Sequence, residues 1–140
     1  TVSTIIFFGI VYPLFILAIG QLIPEKSIGS PVILNDKIVG FENIGQSFTD
    51  DKYFQGRPSA VNYNAASTGG SNKGPTNPEY LAEVNARIDS FVVHNPGINR
   101  KEIPSELVTA SGSGIDPNIS PEAAYIQILR VSKARNITVR

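Results

Sequence analysis

The longest feature of the chain is apolar. Residues 2 to 23, VSTIIFFGIVYPLFILAIGQLI, contain no Asp, Glu, Lys, Arg or His, and the polar Ser3, Thr4 and Gln21 stand near the ends. A helix of that length rises about 33 Å, against about 30 Å for the hydrocarbon core of a bilayer. Pro13 has no amide proton, so it predicts a kink. A spanning helix tolerates such a residue where neighbours re-satisfy the freed carbonyl, so the kink also predicts a partner helix. Gly9, Pro13 and Gly20 are the candidate packing positions. Two other readings share the pattern. A buried core helix usually shows one wet edge. A cleavable secretory signal has a permitted apolar run in Ile5 to Leu17 and a small-x-small exit in Ala18-Ile19-Gly20, but no basic residue precedes it and apolar residues continue to Ile23. The favoured reading is an uncleaved anchor over residues 1–24. Only Glu25 and Lys26 flank it, on one side, so the positive-inside rule has no asymmetry to read.

Beyond Pro24 the pattern becomes mixed. SPVILNDKIVGF predicts two short strands, Pro31 to Leu34 and Lys37 to Phe41, joined through Asn35-Asp36, residues that tolerate the left-handed backbone of a tight hairpin. Residues 53–76 are dense in Gly, Pro, Asn and Ser and read as one long loop, of a length that is usually functional or pinned by contacts. Asn77-Pro78-Glu79 then starts a helix: Asn caps, Pro fits the first turn and Glu favours the positive end. Leu81, Val84, Ile88, Phe91 and Val92 form its apolar stripe, and Asn95-Pro96-Gly97 stops it. Ser120-Pro121-Glu122 repeats the device for a second helix to about Arg135. There Tyr125, Ile128, Leu129 and Ser132 share one side while Ile126 and Val131 crowd another. A helix apolar over so much of its circumference is expected to be central to the fold or in contact with another chain. No period of 20 to 50 residues marks a repeat array.

Composition changes the picture in three ways. The 12 acidic and 12 Lys or Arg side chains balance, so no strong field is available to attract nucleic acid, and none is expected as a partner. All of them lie after residue 24, which leaves an ordinary polar domain behind the anchor. Cysteine is absent, which removes disulfides and thiolate metal sites. Arg130, Lys133, Arg135 and Arg140 outnumber Glu122 near the end, a cluster expected to be a solvated helix face.

The candidate chemistry fails on spacing. In STGGSNKGP, Gly69 and Gly74 are spaced as in a phosphate-binding loop, but Lys73 precedes the second glycine, Pro75 follows it, and no strand leads in. TASGSGIDP lacks the glycines that flank a nucleophilic serine. His94, the single histidine, stands at a helix end, where a capping role suffices. Asp116, Asn118 and Ser120 alternate like calcium ligands, but Pro121 occupies the place of the turn glycine. Asp50-Asp51 reads as a solvated turn. The chain is therefore expected to have no catalytic set, no metal site and no cofactor of its own.

Two runs carry a resemblance. YFQGRPSAVNYNAASTGGSNKGPTNP, residues 53–78, and ELVTASGSGIDPNISPEAAYIQILRVSKAR, residues 106–135, resemble the C subunit of the Kdp-type potassium-transporting ATPase. Gly56-Arg57-Pro58-Ser59-Ala60, Gly70-Ser71-Asn72, Asn77-Pro78, Thr109 to Gly114 and Ile119-Ser120-Pro121 fall in that family's order. Gly40-Phe41-Glu42-Asn43-Ile44-Gly45-Gln46 departs from the family's Gly-Ser-x-Leu-Ile-Gly-Gln. Family members continue past the second helix, so the resemblance implies either a short member or further chain after Arg140.

The resemblance implies an α+β fold: a single N-terminal transmembrane helix, then an extracytoplasmic domain over residues 25–140 with a short β-sheet and two main helices. It implies a place in the cell membrane with the N-terminus cytoplasmic. The implied partners are a channel-like potassium-binding subunit, a P-type ATPase subunit and a small peptide subunit, in a complex that uses ATP, magnesium and potassium. The chain would be a non-catalytic accessory subunit, with Arg57, Ser59, Tyr63, Ser67, Gly69, Gly70, Ser71 and Asn72 as candidate partner contacts. A nucleotide-affinity chaperone of the ATPase subunit, working through residues 67–72, is the alternative. An anchored hydrolase or solute-binding protein is a third.

Overall fold

The computed structural model of the chain describes residues 1–24 and 29–139, so the flanking Glu25 and Lys26 and the terminal Arg140 lie outside the described residues. Two compact units are present, Thr1–Asn43 and Ile44–Arg140.

The first unit opens with α1 (Val2–Ile6), a π-helical turn (Phe7–Val11) and α2 (Tyr12–Gln21). Val2–Gln21 is a helix long and apolar enough to cross a membrane, and none of it is buried within the chain. That exposure disfavours the core-helix reading, because a core helix hides its apolar surface. Pro13 falls in the first turn of α2, and the irregularity it imposes is the π turn before it, where the Tyr12 amide reaches five residues back to the Phe7 carbonyl. Strands β1 (Pro31–Leu34) and β2 (Lys37–Phe41) pair antiparallel. Asn35 and Asp36 both adopt left-handed φ, +50° and +60°, the turn that matches the twist of a hairpin. Ile33 faces Ile38 and Val32 faces Gly40, so Val39 is an extra residue in β2.

The second unit has no sheet among the described residues. Its elements are α3 (Pro78–His94), two 3-10 turns (Arg100–Glu102 and Ser105–Leu107), α4 (Pro121–Tyr125) and α5 (Ile128–Arg135). Both expected caps form: Asn77 accepts from the Tyr80 amide at 3.0 Å and Ser120 from the Ala123 amide at 3.1 Å. Phe91, Leu107 and Ala123 make the core, with Ile98, Ile103, Ile119 and Ile126 packed on it.

Two sequence-based expectations are corrected. The second helix is broken at Ile126-Gln127: the Gln127 amide bonds Ala124, while its side chain supplies the Ala123 carbonyl at 2.9 Å. Its predicted apolar face divides as well, since Tyr125 and Leu129 are exposed and Ser132 is buried. The basic cluster is also not uniformly solvated. Lys133 and Arg135 are exposed, but Arg130 is only 7% exposed.

Candidate functional site

The long loop after Tyr53 is held by the segment around residues 109–117 through backbone and side-chain bonds together. Gly45 donates to the Ile115 carbonyl at 2.7 Å, Ser111 to Pro58 at 3.1 Å and Gly69 to Ser113 at 2.9 Å. Ser59 Oγ donates to the Gly114 carbonyl at 2.6 Å and accepts from the amides of Val61 and Tyr63. Tyr63 Oη donates to the Arg57 carbonyl. Gly114 lies at φ +73°, and a Cβ there would come within 2.5 Å of Val61 Cγ2 and 2.7 Å of the Gly69 carbonyl, so only glycine fits. At Gly45 the obstacle is backbone alone, the Asp116 carbonyl at 2.6 Å from a built Cβ.

Charge completes this clasp. Arg57 Nη1 lies 3.1 Å from Asp116 Oδ2, both side chains about a quarter exposed. The Asp116 carboxyl is held below its ordinary value by the Asn118 backbone amide first and by Arg57 as well, against the opposing effect of burial. Arg57 Nε is buried without a hydrogen-bond partner. Burial raises the Tyr63 phenol. Lys73, the lysine of the glycine-rich run, is bound by Glu83 at 2.6 Å with Glu79 at 3.9 Å, which raises its pKa and lowers that of Glu83.

The eight candidate contact residues therefore divide. Arg57, Ser59, Tyr63 and Gly69 are occupied inside the clasp, and Gly70 is half-buried beside Gly112. Ser67 and Asn72 are exposed, Ser71 is half-buried, and Asn72 takes a left-handed φ of +52°. Gly9, Pro13 and Gly20 all lie on the apolar helix, and a Cβ at Gly9 would meet nothing within 4 Å.

A polar centre missed by sequence reasoning lies beneath α5. Arg130 Nε donates to Asn95, Nη1 to the carbonyls of Asp51 and Tyr53, and Nη2 to Gln127 Oε1. Gln127, wholly buried, also accepts from the Gln55 amide and donates to the Gln55 carbonyl. Desolvation lowers the Arg130 pKa, and Asp51, 3.6 Å away, partly restores it. Asp51, in a turn as expected, also meets His94 Nδ1 at 2.9 Å, and His94 stands in the last turn of α3 as expected, with both side chains partly exposed. The available signal was a lone glutamine and arginine inside an apolar helical run, since buried polar groups require partners. This centre forms part of the wall of a groove of ~790 Å³, where Asp51, His94, Asn95 and Arg130 stand beside apolar side chains such as Val93 and Leu129. Among the described residues no group of three or more His, Asp or Glu could hold a metal ion.

Comparison with known proteins gives consistent matches. The sequence model of the family described as "K+-transporting ATPase, c chain" (KdpC) matches residues 1–140. A potassium-transporting ATPase KdpC subunit of Flavobacterium psychrophilum is 51% identical over 138 residues, covering 99% of this chain and 75% of that protein. One from Bacteroides fragilis is 52% identical over 137 residues, covering 96% and 72%. The protein of the same description from Caldanaerobacter subterraneus subsp. tengcongensis is 46% identical over 138 residues, covering 98% and 72%.

Proposed function

This chain belongs to the KdpC family of potassium-transporting ATPase subunits, and we propose that it is a non-catalytic accessory subunit that holds a potassium-uptake complex together. The apolar helix anchors it in the cell membrane against the channel-like subunit. The polar domain stands outside the cytoplasm over the ion entrance. ATP, magnesium and potassium are handled by the partner subunits, the P-type ATPase subunit among them, and the small peptide subunit completes the assembly.

One observation carries this reading: the polar groups that could have done chemistry are consumed in holding the loops to each other. Ser59 and Ser111 bond backbone, Arg57 faces Asp116, and Lys73 faces two carboxylates. A loop so arranged offers a fixed surface. The Gly69 amide already has a carbonyl acceptor, and the lysine that would meet a phosphate stands beside Glu83, which argues against the nucleotide-affinity alternative. Deletion of residues 1–23 with co-purification of the other subunits as readout tests the proposal. Loss of the subunits from the purified complex is expected, and undiminished co-purification of the truncated chain overturns it.

A further inference from the structure

The helix at the N-terminus contains a carbonyl that its own backbone cannot serve. In an ordinary helix the Phe8 carbonyl accepts from the amide four residues on, at Tyr12. That amide is taken by Phe7. In the π register the donor would be residue 13, which is proline and has none. Phe8 thus loses both its α donor and its π donor at one turn. In water the loss is small, because solvent replaces the bond. In hydrocarbon no solvent is available, and backbone groups have to be satisfied within the protein. Gly9, the next residue, has nothing within 4 Å of the place a Cβ would occupy, so the turn is open from the side.

We propose that this π turn is a hydrogen-bonding notch: the Phe8 carbonyl accepts from a hydroxyl or amide side chain on a neighbouring transmembrane helix, which approaches closely over Gly9 and Pro13. The occupant is a helix of a partner subunit, since small residues permit close backbone approach and polar side chains then bond across. Gly20 lies seven residues beyond Pro13 and so on the same side of α2, which extends the close-packing face along the helix. The inference rests on the reading that the anchor packs against a partner, and it adds the atom and the chemistry by which it does so.

The test uses the full chain co-expressed with its complex. Pro13→Ala restores an amide, lets the turn close and removes the acceptor from the partner. Gly9→Ile keeps the orphaned carbonyl but blocks the approach. Each is expected to weaken co-purification about threefold to twentyfold, which spans the mean to the maximum found for interhelical hydrogen bonds in a membrane protein. Unchanged co-purification with Pro13→Ala, when deletion of residues 1–23 abolishes it, sinks the notch and leaves the anchor reading intact; unchanged co-purification in both sinks both. A second measurement leaves Gly9 and Pro13 in place. The chain has no cysteine, so single Leu17→Cys and Phe15→Cys chains report the sides of α2 near to and opposite Pro13. Cross-linking to a partner subunit from Leu17→Cys and not from Phe15→Cys supports the proposal. Equal cross-linking from both, or cross-linking to a second copy of this chain, overturns it.

Discussion

Asp116 is the residue whose charge does most for the clasp. It accepts from the Asn118 amide at 3.0 Å, pairs with Arg57 and presents its backbone to Gly45. Its carboxyl titrates below the ordinary value of 3.8, so the folded state favours the charged form. The resulting stabilisation is fully present above that ordinary value and is lost as pH falls through the lowered one. Asp116→Asn keeps an acceptor for Asn118 and removes only the charge, so it is expected to cost about 1 kcal/mol at pH 7, the upper range for an incompletely buried ion pair. The deficit relative to the parent should shrink between pH 7 and an acidic pH below the lowered pKa, where the Asp116 carboxyl has taken up its proton. Urea unfolding in detergent at the two pH values measures it. An equal deficit at both would show that the charge contributes nothing.

At the scale of elements, the break between α4 and α5 is the decisive feature. A continuous helix would give the Ala123 carbonyl to the Gln127 amide. Here the Gln127 side chain takes that place, and the same side chain binds Gln55 and Arg130. The loop that starts near Tyr53 is thereby tied to the last helix by one buried amide. Gln127→Leu, close in size but without polar atoms, strands the Ala123 carbonyl, the Gln55 amide, the Gln55 carbonyl and one Arg130 donor. A loss of about 3 kcal/mol is expected, since each buried group left unsatisfied costs about 1–3 kcal/mol and the site can relax partly toward water. The same unfolding measurement, with the exposed Leu129→Ala as the reference near zero, checks it. A Gln127→Leu chain as stable as the reference would show that the junction is held by apolar packing alone.

For the whole molecule, topology decides what the loop can meet. If the helix spans the bilayer with its N-terminus in the cytoplasm, Ser71 is outside, beyond the reach of cytoplasmic nucleotide. The absence of cysteine makes this direct to examine. Ser71→Cys, half-buried next to the exposed Asn72, should react with a membrane-impermeant thiol reagent on intact cells. Reaction only after lysis would reverse the orientation and restore the nucleotide-affinity reading. The exposed aliphatic side chains of the hairpin, Val32, Ile33, Leu34 and Ile38, belong to the same scale. A two-stranded hairpin is at best marginally stable alone in water.

What the sequence determined by itself was everything local or additive. The membrane-length helix follows from an unbroken sum of apolar residues, the hairpin from Asn35-Asp36, and both helix starts from an N-cap followed by proline. The failure of the phosphate-loop and nucleophile spacings was equally legible, because such chemistry requires fixed offsets along the chain. Only the tertiary structure decided the rest. Arg130 looked like part of a solvated basic face until Asn95, Asp51 and Tyr53, 35 to 79 residues away along the chain, supplied its acceptors. No offset along the chain singled out Gly114, yet Val61 and Gly69 close over it and leave no room for a Cβ. Periodicity and propensity report the few residues next to a position, whereas burial of a charge and exclusion of a Cβ depend on which distant segments the folded chain brings there.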